Sequence, residues 1–216
     1  MKRLLSLSLA LVLLLALAAA AEPAPALETT YTAFTHPRQG YTVEYPSTWV
    51  LFDKDGLQQV KENIQAGKTD LPETAVNMFS VAMEQIDLAD LALMVDPVGN
   101  GHNFNTVVNA ASPTPPIDAV LTEVPPLLKQ QYGQMYPNIQ WEDEGTLAKV
   151  GGMDALRARY VFAADPLTYT QTQYFVFAGG QQYTLTFTWI SPTETELVQL
   201  EAHMAHMIDT FTVPQN

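Results

Sequence analysis

No cysteine occurs in the 216-residue chain. A disulfide framework, a thiolate nucleophile and a lipidated cysteine are therefore excluded, and stability has to come from the core. Basic residues are scarce, with 10 Lys and Arg against 23 Asp and Glu, a formal charge of -13. Such a surface repels phosphate backbones and anionic headgroups, which argues against nucleic acid and electrostatic membrane docking. Serine is sparse as well: beyond the N-terminal segment only Ser47, Ser80, Ser112 and Ser191 remain, none in a Gly-x-Ser-x-Gly elbow. Glycine-rich phosphate loops are missing too. With no nucleophile, base and oxyanion donor placed together, the chain reads as a non-enzyme with no catalytic residues and no cofactor.

What is present begins with Lys2 and Arg3, an apolar run from Leu4 to about Ala21, and the small-residue triplets Ala19-x-Ala21 and Ala24-x-Ala26. This order predicts a secretory signal peptide cleaved after Ala21 or Ala26, so residues 1–26 are signal peptide and leader, and 27–216 a single domain. A retained membrane anchor is the alternative, because the run is close to the shortest that spans a bilayer.

The richest pattern lies between Leu156 and Trp189, where LRARYVF, TYTQTQYFVF and QYTLTFTW alternate and predict a β-meander. Upstream, YTAFTHP and GYTVEYP predict a hairpin, with Trp49 as a core anchor. Residues 55–67 space Leu57, Val60 and Ile64 as a helix between Asp55 and Gly67. AVNMFSVAM reads as a strand, DLADLALMVDP as strand or short helix, and NFNTVVNAAS as a strand. A long amphipathic helix is expected over 117–136, kinked or broken at Pro125-Pro126. The terminal helix carries Leu197, Leu200, Met204, Met207 and Ile208 on one stripe, with Ser191 or Thr193 as N-cap.

Two Gly-Gly pairs fix expected registers. Gly151-Gly152 sets Lys149 opposite Asp154, Leu147 opposite Leu156, Glu144 opposite Arg159 and Trp141 opposite Phe162. Gly179-Gly180 sets Val176 opposite Tyr183, Tyr174 opposite Leu185 and Thr172 opposite Phe187, a face for the terminal helix to bury. Phe187→Ala is then expected to cost about 3–5 kcal/mol, and Thr186→Ala, on the other face, almost nothing. Phe175 and Phe177 lie on that other face among Gln and Thr. They are either covered by the 117–136 helix or left as a binding surface, with Asn100 and His102 in the loop from Asp96 to Asn103 as further candidates.

The chemistry-bearing clusters are thin. His203 and His206, at i,i+3 beside Met204 and Met207, are the weak metal candidates; their methionines fit the apolar stripe, leaving the histidines on its polar flank, and no third ligand follows. Glu142, Asp143 and Glu144 read as a solvated strand edge rather than a calcium loop.

The Tyr41-x-Val43-x-Tyr45-Pro46-x-x-Trp49 hairpin, the helix, the Gly151-Gly152 turn, the Tyr183-x-Leu185-Thr186 strand and the closing Phe211 together resemble the PsbP-like superfamily, over about residues 31 to 213. The pattern is most similar to LpqN-type lipoproteins and DcrB-like exported bacterial domains; extrinsic photosystem II subunits and a Ran-binding import factor are more distant. The resemblance implies an α+β fold, an antiparallel β-sheet flanked by helices in an α/β/α sandwich, and no shared catalytic residues. LpqN-type lipoproteins carry a lipid-modified cysteine, which this chain lacks, so no lipid anchor is expected. The expected role is an exported accessory or binding domain of the bacterial envelope, monomeric, whose partner is an envelope protein or a small ligand. The rival expectation is a small hydrolase or ligand carrier with a site between sheet and helix, using His36, Asp143 or the meander tyrosines.

Overall fold

A computed structural model describes residues 29–52, 56, 58–59, 62–63, 66, 91–97, 101–136, 138–164 and 166–214. Strands β1 (Tyr31–Thr35) and β2 (Thr42–Pro46) form a two-stranded hairpin. The remaining described strands are β3 (Val50–Phe52), β4 (Leu91–Val95), β5 (Asn103–Ala110), β6 (Gln140–Val150), β7 (Met153–Ala164), β8 (Leu167–Ala178) and β9 (Gln181–Ile190). They build one antiparallel seven-stranded sheet in the order β3-β4-β5-β9-β8-β7-β6. Helices α1 (Ile117–Met135) and α2 (Glu194–Thr210) complete an α+β architecture. Gln58 and Glu62, and Gln59 and Asn63, are helical and hydrogen-bonded at i,i+4, in keeping with the expected helix; its Leu57, Val60 and Ile64, and the AVNMFSVAM run, lie outside the described residues.

Alternation along the meander decides the layers. Tyr183, Leu185, Phe187 and Trp189 of β9 and Tyr174 and Val176 of β8 pack with Leu200, Met204, Met207 and Ile208 of α2 in one core, as the spacing predicts. The β1–β2 hairpin adds Tyr41 and Val43 to this core, and Trp49 follows them, buried edge-on to Trp189. The second core lies across the sheet, where Leu156, Ala158, Tyr160 and Phe162 of β7 meet Val120, Leu128 and Tyr132 of α1. α2 starts from Thr193, whose hydroxyl accepts from Glu196 N while the Glu196 carboxylate accepts from Thr193 N, a capping box. Ser191 is not the cap; it turns at φ 43 and bonds Thr168.

Two expectations need correction. α1 is continuous for 19 residues through Pro125 and Pro126, so the break does not occur, because packing of Val120, Leu128 and Tyr132 on both sides of the prolines holds the two halves together. The β6–β7 register starts as expected, with Val150, Lys149 and Leu147 opposite Met153, Asp154 and Leu156, and then shifts. A bulge around Gly145 puts Asp143 opposite Arg159 and Trp141 opposite Tyr160. Glu144 therefore pairs with Lys129 of α1, and Arg159 with Glu142 and Glu201. Of the two readings of DLADLALMVDP, its described end, Leu91–Val95, takes the strand, fully buried.

Candidate functional site

The loop from Ala111 to Pro116 leaves β5 and is tied to the β8–β9 turn: Ala111 N donates to Gly180 O and Gly180 N to the Thr114 hydroxyl. Its prolines fix φ and remove donors, so this wall of the site is stiff before anything binds. Pro116, extended at φ -67 and ψ 146, opens α1 and receives Ala119 N and Val120 N on its carbonyl. α1 is seated on β6 and β7 by two devices. Gly145, at φ +137 in the bulge, admits Pro125 so closely that a Cβ there would sit 2.6 Å from Pro125 Cγ. Deeper in, Tyr132 donates its hydroxyl to Gln173 Oε1 at 2.8 Å and Tyr160 donates to Gln171 Oε1 at 2.6 Å. Burial pushes the Tyr132 phenol up to about 12, so it remains a donor throughout the physiological range.

Between the first half of α1, the proline loop and the ends of β8 and β9 lies an open groove of about 300 Å³. Val120, Val124 and Leu127 line its helix side, Pro113, Pro115 and Pro116 its loop side, and Phe175, Phe177 and Gln182 its floor. Among the described residues Glu123 is the one charged side chain lining it. A second hollow shares Pro115, Val120 and Phe177 and continues to Met153 and Asp154 at the β6–β7 turn.

The candidates from sequence are scattered by the fold. Phe175 is fully buried and Phe177 half-buried, both in the groove floor. Asn100 lies outside the described residues. His102 is buried next to Ile190, about 25 Å along β9 from Gln182 at the strand's rise per residue. Its Nδ1 accepts from Ile190 N at 3.0 Å, and burial lowers its pKa against the opposing charge of Glu196, so it is a neutral structural pin.

His203 is not on a polar flank: it is buried, 3.1 Å from the Tyr31 hydroxyl through Nδ1 and edge-on to Trp49, because the β1–β2 hairpin closes over that side of α2. Burial, then the charge of His206, lowers its pKa. His206 stacks on Tyr31 at 3.6 Å between centroids and meets Glu44 at 2.9 Å. Among the described residues no group of three or more His, Cys, Asp or Glu is placed to hold a metal.

His36 and Asp143 are each engaged locally. His36 stacks on Tyr41 and accepts from Arg38 N and Gln39 N. Burial raises the Asp143 pKa, but Arg157, Thr146 and the Gly145 N–H outweigh it and hold the carboxyl below its ordinary value. The groove residues Glu123, Val124, Leu127 and Gln182 were not singled out by sequence. Their signal was a carboxylate inside the apolar spacing of 117–136, directly after a proline-rich loop.

No protein-family model matches the chain, and no curated protein matches it by sequence. Solved structures do. Cyanobacterial PsbP (CyanoP) from Synechocystis sp. PCC 6803 superposes with a TM-score of 0.55 over 90% of this chain and 99% of its own, at 11% identity. LpqN of Mycobacterium tuberculosis, a protein involved in cell envelope biogenesis, gives 0.47 over 87% and 93% at 16% identity. The Ran-binding protein Mog1p of Saccharomyces cerevisiae gives 0.46 over 86% and 96% at 9% identity. Identities this low speak to architecture alone. With the strand order, the two helix layers and the CyanoP superposition in agreement, the chain has the PsbP-like fold.

Proposed function

We propose that this chain is an exported, non-catalytic binding module whose binding face is the groove between the proline loop, α1 and the β8–β9 end of the sheet. The observation that carries the reading is the groove: an open, mostly apolar cleft of about 300 Å³ with stiff proline walls and few polar groups. That is the small end of the size range for small-molecule clefts. Support for a non-catalytic role is that His36, Asp143 and His102, and Tyr160 and Tyr183 of the meander, each have structural partners. Support for export is the Lys2-to-Ala21 pattern.

Two measurements test it. A photo-crosslinking side chain at Leu127, with one at the exposed Val198 of α2 as control, is followed by intact-mass spectrometry of chain recovered from producing cells. Adducts at 127 and not at 198 are expected; none at 127, or the same set at both, overturns the groove as the binding face. N-terminal sequencing is expected to begin at Glu22 or Leu27, and a chain that keeps Leu4 to Leu17 and partitions with membranes overturns export.

A further inference from the structure

We infer that the groove selects an apolar small molecule carrying a positive charge, an inference that rests on the groove being the binding face. Shape and charge point the same way. Walls of Val124, Leu127, Phe177 and proline rings offer contact to hydrocarbon and almost no hydrogen bonds. Glu123 stands at the edge of that apolar surface, one turn before Leu127 on α1. Lys129 is engaged by Glu144 and Lys149 by Asp154, whereas Arg157 and Arg159 project to the other face of the sheet, toward Tyr174 and Glu201. Glu123 has no ion pair among the described residues, so its charge faces whatever enters.

A bound apolar body displaces water from one side of the carboxylate, which strengthens attraction to a cationic head and penalises an anionic one. The net charge of -13 adds a general bias of the same sign. General bias and a local contact are separable, because only the second depends on Glu123.

The test uses three probes with one hydrocarbon body, an octyl chain: octyltrimethylammonium, 1-octanol and nonanoate. Each is titrated below its aggregation concentration into the isotopically labelled chain and into Glu123→Gln, with amide shifts followed by NMR. In the parent chain the shifts are expected to centre on Val120, Val124, Leu127 and Phe177. The ammonium should bind about fivefold more tightly than the alcohol, the scale of a solvent-exposed charge contact, and nonanoate more weakly than either. In Glu123→Gln the alcohol should bind unchanged and the spread should shrink to about twofold or less. Equal affinities at the groove, or a preference that survives Glu123→Gln, overturn the charge inference and leave the binding face standing. If none of the three shifts the groove amides, both fall. Ammonium shifts confined to Glu142 and Glu144 mean an unselective acidic surface and also overturn it.

Discussion

Along β9 the odd-numbered Tyr183, Leu185, Phe187 and Trp189 join the core with α2, whereas the even-numbered Gln182, Thr184, Thr186 and Thr188 face the side on which α1 lies. Both sets are buried. The α2 face gains from area: aromatic and aliphatic groups interlock, and few hydrogen bonds are needed. The α1 face is tied by polar side chains across strands, Gln171 Nε2 to Thr188 and Gln173 Nε2 to Thr186, and along β9, Gln182 Nε2 to Thr184, with the Tyr132 and Tyr160 hydroxyls closing onto the Gln171 and Gln173 carbonyls. Asn103, Asn105 and Thr188 extend the polar band across β5 and β9. Side chains bonded along the sheet offer a helix less apolar relief to interlock with. The groove lies on this face, and a dense core lies on the other.

Removing area should hurt the α2 face most. Phe187→Ala, in a fully buried site between Phe104, Tyr174 and Trp189, is expected to cost about 3–5 kcal/mol in chemical denaturation. A cost under about 1.5 kcal/mol would mean that this core collapses around the cavity as easily as a loose one.

Gly145→Ala attacks the seat of α1. Its φ of +137 suits glycine, and the new Cβ would press on Pro125, so a loss of about 1–3 kcal/mol is expected. In a Pro125→Ala background the loss should shrink, since the clash partner is gone; a loss that does not change assigns the whole effect to the backbone.

Thr186→Ala separates the two ways of burying a face. From the sequence it is expected to cost almost nothing. Its burial, and the 3.2 Å bond it accepts from Gln173 Nε2, predict a cost of about 1–3 kcal/mol from the stranded amide. Thr186→Val, which keeps shape and loses the acceptor, should cost about the same if the hydrogen bond is the cause.

Period-two alternation gave the register around Gly179-Gly180 residue by residue, because pairing and face follow from the same spacing. It could not say what lies over a face, so whether the face that carries Thr and Gln beside Phe175 and Phe177 is covered stayed open; Thr184, Thr186 and Gln182 are buried. The bulge at Gly145 escaped for a related reason: a glycine in an alternating run carries no mark of whether it pairs or bulges. The groove was legible only as parts, Phe175 and Phe177 on a strand, a proline loop and a helix with Glu123, because their meeting is set by tertiary packing. His203 was hidden by a contact 172 residues away in sequence, with Tyr31.

Acid should act on the α2 face through that histidine. The folded-state pKa values of His203 and His102 are lowered, so the unfolded chain takes up protons first, and stability falls as pH drops below about 6.5. Above that pH the contribution is fully present. Asp143 and Glu196, also lowered, add a second loss of the same sign below about pH 4. Melting temperatures at pH 7.5 and 5.0 are expected to differ, with the chain less stable at 5.0, and His203→Gln should flatten part of that slope. A variant with the parent slope would place the proton uptake at His102.

The smallest stability effect is expected where the groove reading makes its strongest demand. Leu127 is 39% exposed on α1, so Leu127→Ser gives up only part of a leucine's burial and should change stability by about 1 kcal/mol or less. Val198, 74% exposed on α2, should behave the same way. Their difference lies in what surrounds them: Leu127 completes a groove wall with Val124 and Phe177, and Val198 lines neither hollow. Leu127→Ser should therefore weaken octyltrimethylammonium binding several-fold while Val198→Ser leaves it unchanged. If Leu127→Ser instead costs more than about 1.5 kcal/mol of stability, the leucine is part of the α1 core, and the groove beside it follows from packing rather than from a ligand.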